Sequence, residues 1–123
     1  DRDFELTEYE SSVEEIKTFQ AIGGQTHEET STLDYGRDGN KLKTISEESG
    51  VNVHGVTGFN KHIYFPDWVQ EESSEQITDR LIYDIEKGME GSDARAGILE
   101  SGSWYNLILP LESKVTRAVA WAQ

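Results

Sequence analysis

Apolar residues recur at the three-to-four-residue spacing of an amphipathic helix in four stretches of the chain. Ser12 with Glu15, and Ser73 with Gln76, have the spacing of capping boxes, which predicts that the first and third helices begin there. The predicted inward faces are Val13, Ile16, Phe19 and Ile22; Leu42 and Ile45; Ile77, Leu81, Ile82, Ile85 and Met89; and Val115, Ala118, Val119 and Ala122.

Three short segments between these helices have the composition of strands. They are Gln25 to Thr32, Val51 to Val56 and Ala96 to Leu99, the last being uniformly apolar, as in a strand covered on both faces. We expect Thr57-Gly58-Phe59 to break the second strand and a loop to continue to about Glu72. Because strands separated by helices run parallel through right-handed crossovers, the order predicts one α/β unit.

Composition narrows the classes of partner. The 123 residues include 11 Lys and Arg against 24 Asp and Glu, a formal net charge of −13. This charge argues against nucleic acid and against an anionic membrane surface as partners. Cys is absent, so thiolate metal sites and disulfides are excluded. No apolar run reaches membrane-span length and the acidic start is unlike a signal peptide, so we expect a cytoplasmic protein.

Glu100 directly follows the third predicted strand. The carboxyl ends of strands carry the chemistry in barrel and open α/β folds, so Glu100 is a candidate ligand or base; a solvated carboxylate is the alternative. His27, His54 and His62 lie on separate elements without metal-ligand spacing, which favours packing roles over a joint metal site. For Gly36-Arg37-Asp38-Gly39, a turn with a local ion pair is favoured over an anion site.

Six motifs stand in an order that resembles the phosphotriesterase family of the amidohydrolase superfamily, especially its phosphotriesterase-related branch. The resemblance extends from about Val13 to Gln123, and it implies that residues 1–123 form part of a (β/α)8 TIM barrel with about three parallel strands. The motifs are Gly24-Gln25-Thr26, Gly36-Arg37-Asp38, Ile45-Ser46-Glu47-Glu48-Ser49-Gly50-Val51-Asn52-Val53, Thr57-Gly58-Phe59, Pro66-Asp67-Trp68-Val69 and Arg95-Ala96-Gly97-Ile98.

The resemblance also implies a site. Members of this family hydrolyse ester, lactone, amide or phosphotriester bonds of small molecules with a dinuclear metal centre, usually Zn²⁺. Glu100 stands where the related branch has the carboxylate that bridges the two metals, a role that suits its two oxygens. Phe59, Asn60 and Trp68 are candidates for the substrate pocket, although Asn60 replaces a Tyr of the family. No further catalytic residue is assigned in this chain.

The remaining family ligands, a His-x-His pair, two later His and an Asp, have no counterpart here. We therefore expect a fragment or a truncated relative, and an inactive interaction or oligomer module is the alternative function. A third possibility, a small Mg²⁺-binding α/β domain, needs an apolar first strand ending in Asp, which Gln25 to Thr32 does not supply. Open strand edges predict association with remaining barrel segments or with another copy of the chain.

Overall fold

The computed structural model describes residues 9–123. A single turn of 3-10 helix at His62–Tyr64 accompanies the main elements. These are α1 (Tyr9–Ala21), β1 (Thr26–Glu29), α2 (Gly39–Ser49), β2 (Asn52–Phe59), α3 (Trp68–Glu71), α4 (Ser74–Glu86), β3 (Ala96–Ser101) and α5 (Pro110–Trp121). Within this range no helix is both long and apolar enough to cross a membrane.

The three strands form one parallel sheet in the order β1-β2-β3. Glu28 is paired with His54, and Gly58 with Glu100, so the carboxyl ends of the strands meet at one edge. A register shift lies between Gly55 and Val56. The predicted alternation of helices with parallel strands is confirmed.

Two apolar clusters pack helices α2, α3, α4 and α5 against one face of the sheet. The larger cluster joins β2, α3, α4 and α5 and consists of Phe59, Val69, Ile77, Leu81, Val115 and Ala118. The smaller one, formed by Leu42, Met89 and Ala96, joins α2 and β3. Burial of this apolar surface is the main stabilising contribution to the fold. On the opposite face Glu28, His54 and Gly97 are exposed, so within the described residues β3 is covered chiefly from one side.

The capping predictions have different outcomes. The Ser73 hydroxyl accepts a hydrogen bond from the Gln76 backbone N–H at 3.2 Å, and the Gln76 side chain accepts one from the Ser73 N–H at 2.8 Å. The predicted start of α4 is thus confirmed. The predicted start of α1 is wrong, because Tyr9 is already helical and Ser12 lies inside the helix.

Strand β2 does not end before Thr57-Gly58-Phe59 but runs through it to Phe59. Gly58 has a φ of +136°, and a Cβ there would lie 1.9 Å from the carbonyl oxygen of Glu100. The glycine that suggested a break instead lets β2 and β3 approach closely. Strand β1 is shorter than predicted, because the Ser31 N–H turns back to the Glu29 carboxylate at 3.1 Å.

Two further predictions are wrong, one for the end of α4 and one for the stretch after Phe59. Helix α4 ends at Glu86, so Met89 lies beyond it, buried after a turn at Gly88 with φ +133°. The stretch after Phe59 is not a continuous loop, because it contains the 3-10 turn and α3.

Arg37 does not form the predicted local ion pair. Its guanidinium, with the side chain only 1% exposed, donates to the carbonyl of Val56 at 2.9 Å and pairs with Asp84 at 2.8 Å and with Glu90. The neighbouring Asp38 instead caps α2. Arg37 therefore ties together β2, α4 and the turn before β3, and the planar guanidinium suits this because it donates in several directions at once.

Candidate functional site

The carboxyl edge of the sheet gathers carboxylates from two strands and a loop. Glu100 lies within β3, half-buried, beside Gly58 of β2. Asp34, in the loop after β1, accepts hydrogen bonds from the Asn60 N–H at 2.9 and 3.0 Å and from the Thr32 hydroxyl at 2.6 Å. Thr32 is fully buried, so this loop is fixed against the end of β2.

The electrostatic setting disfavours the ionised form of Glu100. Burial raises the pKa of its carboxyl, and the negative charges of Asp34, Glu28 and Glu29 raise that pKa further. Neighbouring carboxylates without a cation repel one another, so a bound cation would relieve an unfavourable charge distribution at this edge.

The described residues supply only part of the ligand set that a metal ion needs. No group of three or more His, Cys, Asp or Glu side chains that could hold a metal ion occurs among residues 9–123. Glu100 offers a carboxylate of suitable chemistry and charge environment, but a complete coordination shell needs ligands from elsewhere. Its role as a metal ligand stays a prediction.

The three predicted pocket residues lie in different surroundings. Phe59 is fully buried, with its ring centroid 5.5 Å from that of Phe65 and 5.8 Å from that of Trp68. Trp68 is half-buried and stacks under the guanidinium of Arg80 at 4.5 Å. Asn60 lies at the carboxyl edge, where its backbone N–H binds Asp34. The pocket assignment of all three residues stays a prediction.

The three histidines take part in separate contacts. The ring of His27 meets the edge of Phe19 at 6.2 Å, and His54 is exposed on the open face of β2. His62 accepts a hydrogen bond from the indole of Trp104. These contacts agree with packing roles for His27 and His62, whereas His54 is exposed.

Sequence reasoning missed Asp34 as part of this edge. A signal was available, because Asp34 follows the first strand just as Glu100 follows the apolar core of the third. Parallel strands bring such positions together at their carboxyl ends. The turn in which the Ser31 N–H binds the Glu29 carboxylate could not be predicted from the pattern of apolar and polar residues.

Parallel strands with intervening helices on one face and a carboxylate at the carboxyl edge are typical of a segment of an α/β barrel protein. A profile of the phosphotriesterase family matches residues 2–123, and the chain belongs to this family. The resemblance noted from the sequence is thereby confirmed.

Individual relatives agree with this assignment. The phosphotriesterase homology protein of Escherichia coli is 30% identical over 121 residues, covering 98% of this chain and 41% of its own length. N-acetyltaurine hydrolase of Xenopus tropicalis is 35% identical over 118 residues, covering 94% of this chain and 33% of its own length.

Solved structures match equally well. The Escherichia coli protein, crystallised with phosphate in its active site, superposes with a TM-score of 0.91 at 30% identity over 95% of this chain and 41% of its own. A lactonase from Listeria monocytogenes gives a TM-score of 0.90 at 30% identity over 95% of this chain and 41% of its own. The predicted partial barrel is confirmed, and the chain spans about a third to two fifths of the length of these relatives.

Proposed function

We propose that this chain contributes three strands and the metal-bridging carboxylate of Glu100 to a metal-dependent hydrolase. The single observation that carries the proposal is the position of Glu100 at the carboxyl edge of a phosphotriesterase-family sheet, beside Asp34 and Glu28. A pair of divalent metals, proposed to be Zn²⁺, would polarise the scissile bond and acidify a water when bound.

The substrate is proposed to be a small molecule with a hydrolysable amide or ester bond. Relatives are named for hydrolysis of N-acetyltaurine and of lactones, which are an amide and cyclic esters. An amide, a lactone or another ester is therefore proposed ahead of a phosphotriester. The acidic edge would repel a substrate anion in the absence of metal, so cation binding is expected to precede binding of an anionic substrate.

The chain's own residues have a positioning role in this proposal. Gly58 lets the Glu100 backbone approach β2 closely, and the Asn60 N–H fixes Asp34 at the same edge. Both features hold carboxylates where a cation can be shared. Further ligands are proposed to come from barrel segments outside residues 9–123, which are also the proposed partners of the open strand edges.

A second candidate function is an interaction or oligomer module without catalysis. The open sheet favours it, because β1 and β3 each pair on one side within the described part of the chain. Unpaired parallel edges bind further strands, either from the same protein or from a second copy.

The test compares Glu100→Gln with Glu86→Gln in the full-length protein that carries this chain. Glu86 is an exposed residue at the end of α4, so its substitution is a matched control. We expect Glu100→Gln to lower metal content and to lower hydrolysis of amide, lactone and ester substrates by about 100-fold or more, because metal polarisation contributes several kcal/mol. Glu86→Gln should change neither.

Elemental analysis and initial rates provide the readouts. A metal-free wild-type protein with no hydrolysis would contradict the hydrolase proposal and favour the interaction module. Unchanged metal content and rate in Glu100→Gln would show that the bridging carboxylate lies elsewhere.

A further inference from the structure

The side chains of Trp104 and His62 form a contact between the loop that joins β3 to α5, residues 102–109, and the loop after β2. The indole Nε1–H of Trp104 donates a hydrogen bond to Nδ1 of His62 at 2.8 Å. Their ring centroids lie 6.1 Å apart. Because an indole N–H can only donate, Nδ1 must offer its lone pair, so this contact requires a neutral imidazole with its proton on Nε2.

A buried carboxylate competes for the same imidazole nitrogen. Glu112 of α5 has a side chain with no solvent exposure, and its Oε1 lies 3.6 Å from Nδ1 of His62. Burial alone raises the pKa of Glu112, but the backbone N–H donors of Leu109, His62 and Trp104 outweigh it and lower the net pKa, and a protonated His62 would lower it further. Glu112 is therefore an anion whose Oε1 lies close to Nδ1 of His62.

These two neighbours prefer opposite protonation states of His62. The indole needs a lone pair on Nδ1, whereas the carboxylate is better paired with an N–H there. We propose that protonation of His62 exchanges its hydrogen bond to Trp104 for an ion pair with Glu112, which frees the indole and makes loop 102–109 pH-responsive. Imidazole is the side chain that ordinarily changes charge between about pH 5 and 8.

The other charges around this pair are accounted for. Lys61, beside His62 in the chain, holds its ammonium 5.3 Å from the ring centroid of Trp104. Lys114, also on α5, is occupied by the carbonyls of Val69 and Gln70 at 2.8 and 3.4 Å. Glu112 is thus the anion recorded beside His62.

Release of the indole would loosen an apolar segment at the carboxyl edge of the sheet. Tyr105 is 88% exposed, and Leu107 and Ile108 are 58% and 65% exposed. The backbone N–H of Trp104 lies 3.5 Å from Glu112, a long contact that does not depend on the indole. We therefore expect the side chain and the tip of the loop to move while the loop stays attached to α5.

The test follows Trp104 by ¹⁹F NMR of the full chain labelled with 5-fluorotryptophan, between pH 8 and about pH 5.5. The chain has three tryptophans, and Trp104→Phe identifies the resonance of interest. We expect this resonance to shift in one transition as the pH falls, and we expect the transition to be lost in His62→Gln. The Gln side chain can still accept a hydrogen bond but carries no titrating charge.

His54→Gln is the matched control, because His54 is exposed on the open face of β2 and should leave the transition intact. In Glu112→Gln the size of the Trp104 shift should fall, because the carboxylate that pairs with the imidazolium is gone. A Trp104 resonance that does not respond to pH, or a transition that persists in His62→Gln, would overturn the proposal. None of these readouts involves hydrolysis, so the result is independent of the proposed function.

Discussion

Among single residues, Glu100 is the one at which the proposed metal-binding role would conflict with stability. Its raised pKa, caused first by burial and then by neighbouring carboxylates, means that the folded state disfavours the anion. The same anion is what a divalent cation requires. Charges that destabilise the free protein at one place are typical of binding and catalytic sites.

This conflict predicts a more stable variant. Because the folded-state pKa of Glu100 is raised, the ionised carboxylate costs stability above that pKa, and the cost disappears as the pH falls through it. In metal-free protein at pH 7.5, Glu100→Gln should raise the free energy of unfolding, because the neutral amide has no charge to bury beside the neighbouring carboxylates. Urea unfolding measures the difference, which should shrink towards pH 5.

Glu86→Gln again serves as the control, since this exposed side chain at the end of α4 should give no gain. A loss of stability in Glu100→Gln would mean that the carboxylate makes a favourable interaction in the folded protein and would contradict the electrostatic account.

Between elements, the contact of β2 with β3 decides where Glu100 lies. Gly58 is paired with Glu100, and its positive φ and missing Cβ permit the close approach of the two backbones. Gly102 adds a second close contact, because a Cβ there would lie 2.4 Å from the Asn60 carbonyl oxygen. The carboxyl edge is therefore built from backbones that pack more closely than side chains allow.

Gly58→Ala should consequently displace β3 and lower the free energy of unfolding by about 1–3 kcal/mol through backbone strain alone, with the clash adding to it. Gly97→Ala is the control, since its Cβ would meet His54 at an ordinary 3.6 Å and no positive φ is involved. Thermal and urea unfolding of both variants measure the effect. Equal stability of the two variants would show that β2 and β3 can separate without cost.

At the scale of the whole molecule, the sheet formed by the described residues 9–123 is closed neither at its edges nor on its second face. Strand β2 is paired on both sides, whereas β1 and β3 each have one unpaired edge among residues 9–123. The helices cover one face, and the other face exposes Glu28 and His54. In a complete barrel both edges would be paired and this face would point into the barrel interior.

Hydrogen exchange measures the consequence for the chain by itself. Amides of β2 should exchange most slowly, and the outward amides of β1 and β3 should exchange faster, because they have no partner in this sheet. In a longer protein that contains the remaining barrel strands, both outer strands should become protected. Uniform protection in the 123-residue chain would instead indicate that a second copy pairs with these edges.

Local patterns in the sequence were sufficient for the order of the main helices and strands and for the α/β class, although they did not predict α3 or the 3-10 turn. Capping at Ser73, the apolar spacing of α4 and the short apolar run of β3 are set by residues within a few positions of one another. Helix and strand preferences act over the same short range, so these features could be predicted. The ordered motifs then identified the barrel family, and Glu100 was singled out before its neighbours were known.

Contacts between distant residues were decided by the tertiary structure. Arg37 reaches Asp84 and Glu90, which are 47 and 53 residues away. Gly58 continues a strand because of its neighbour on β3, and His62 meets Trp104 across 42 residues. Local spacing carries no information about such pairs, because their energies depend on which surfaces the folded chain brings together. The sequence thus determined the order of the main elements and the family, and the fold determined the partners of Arg37, Gly58 and His62.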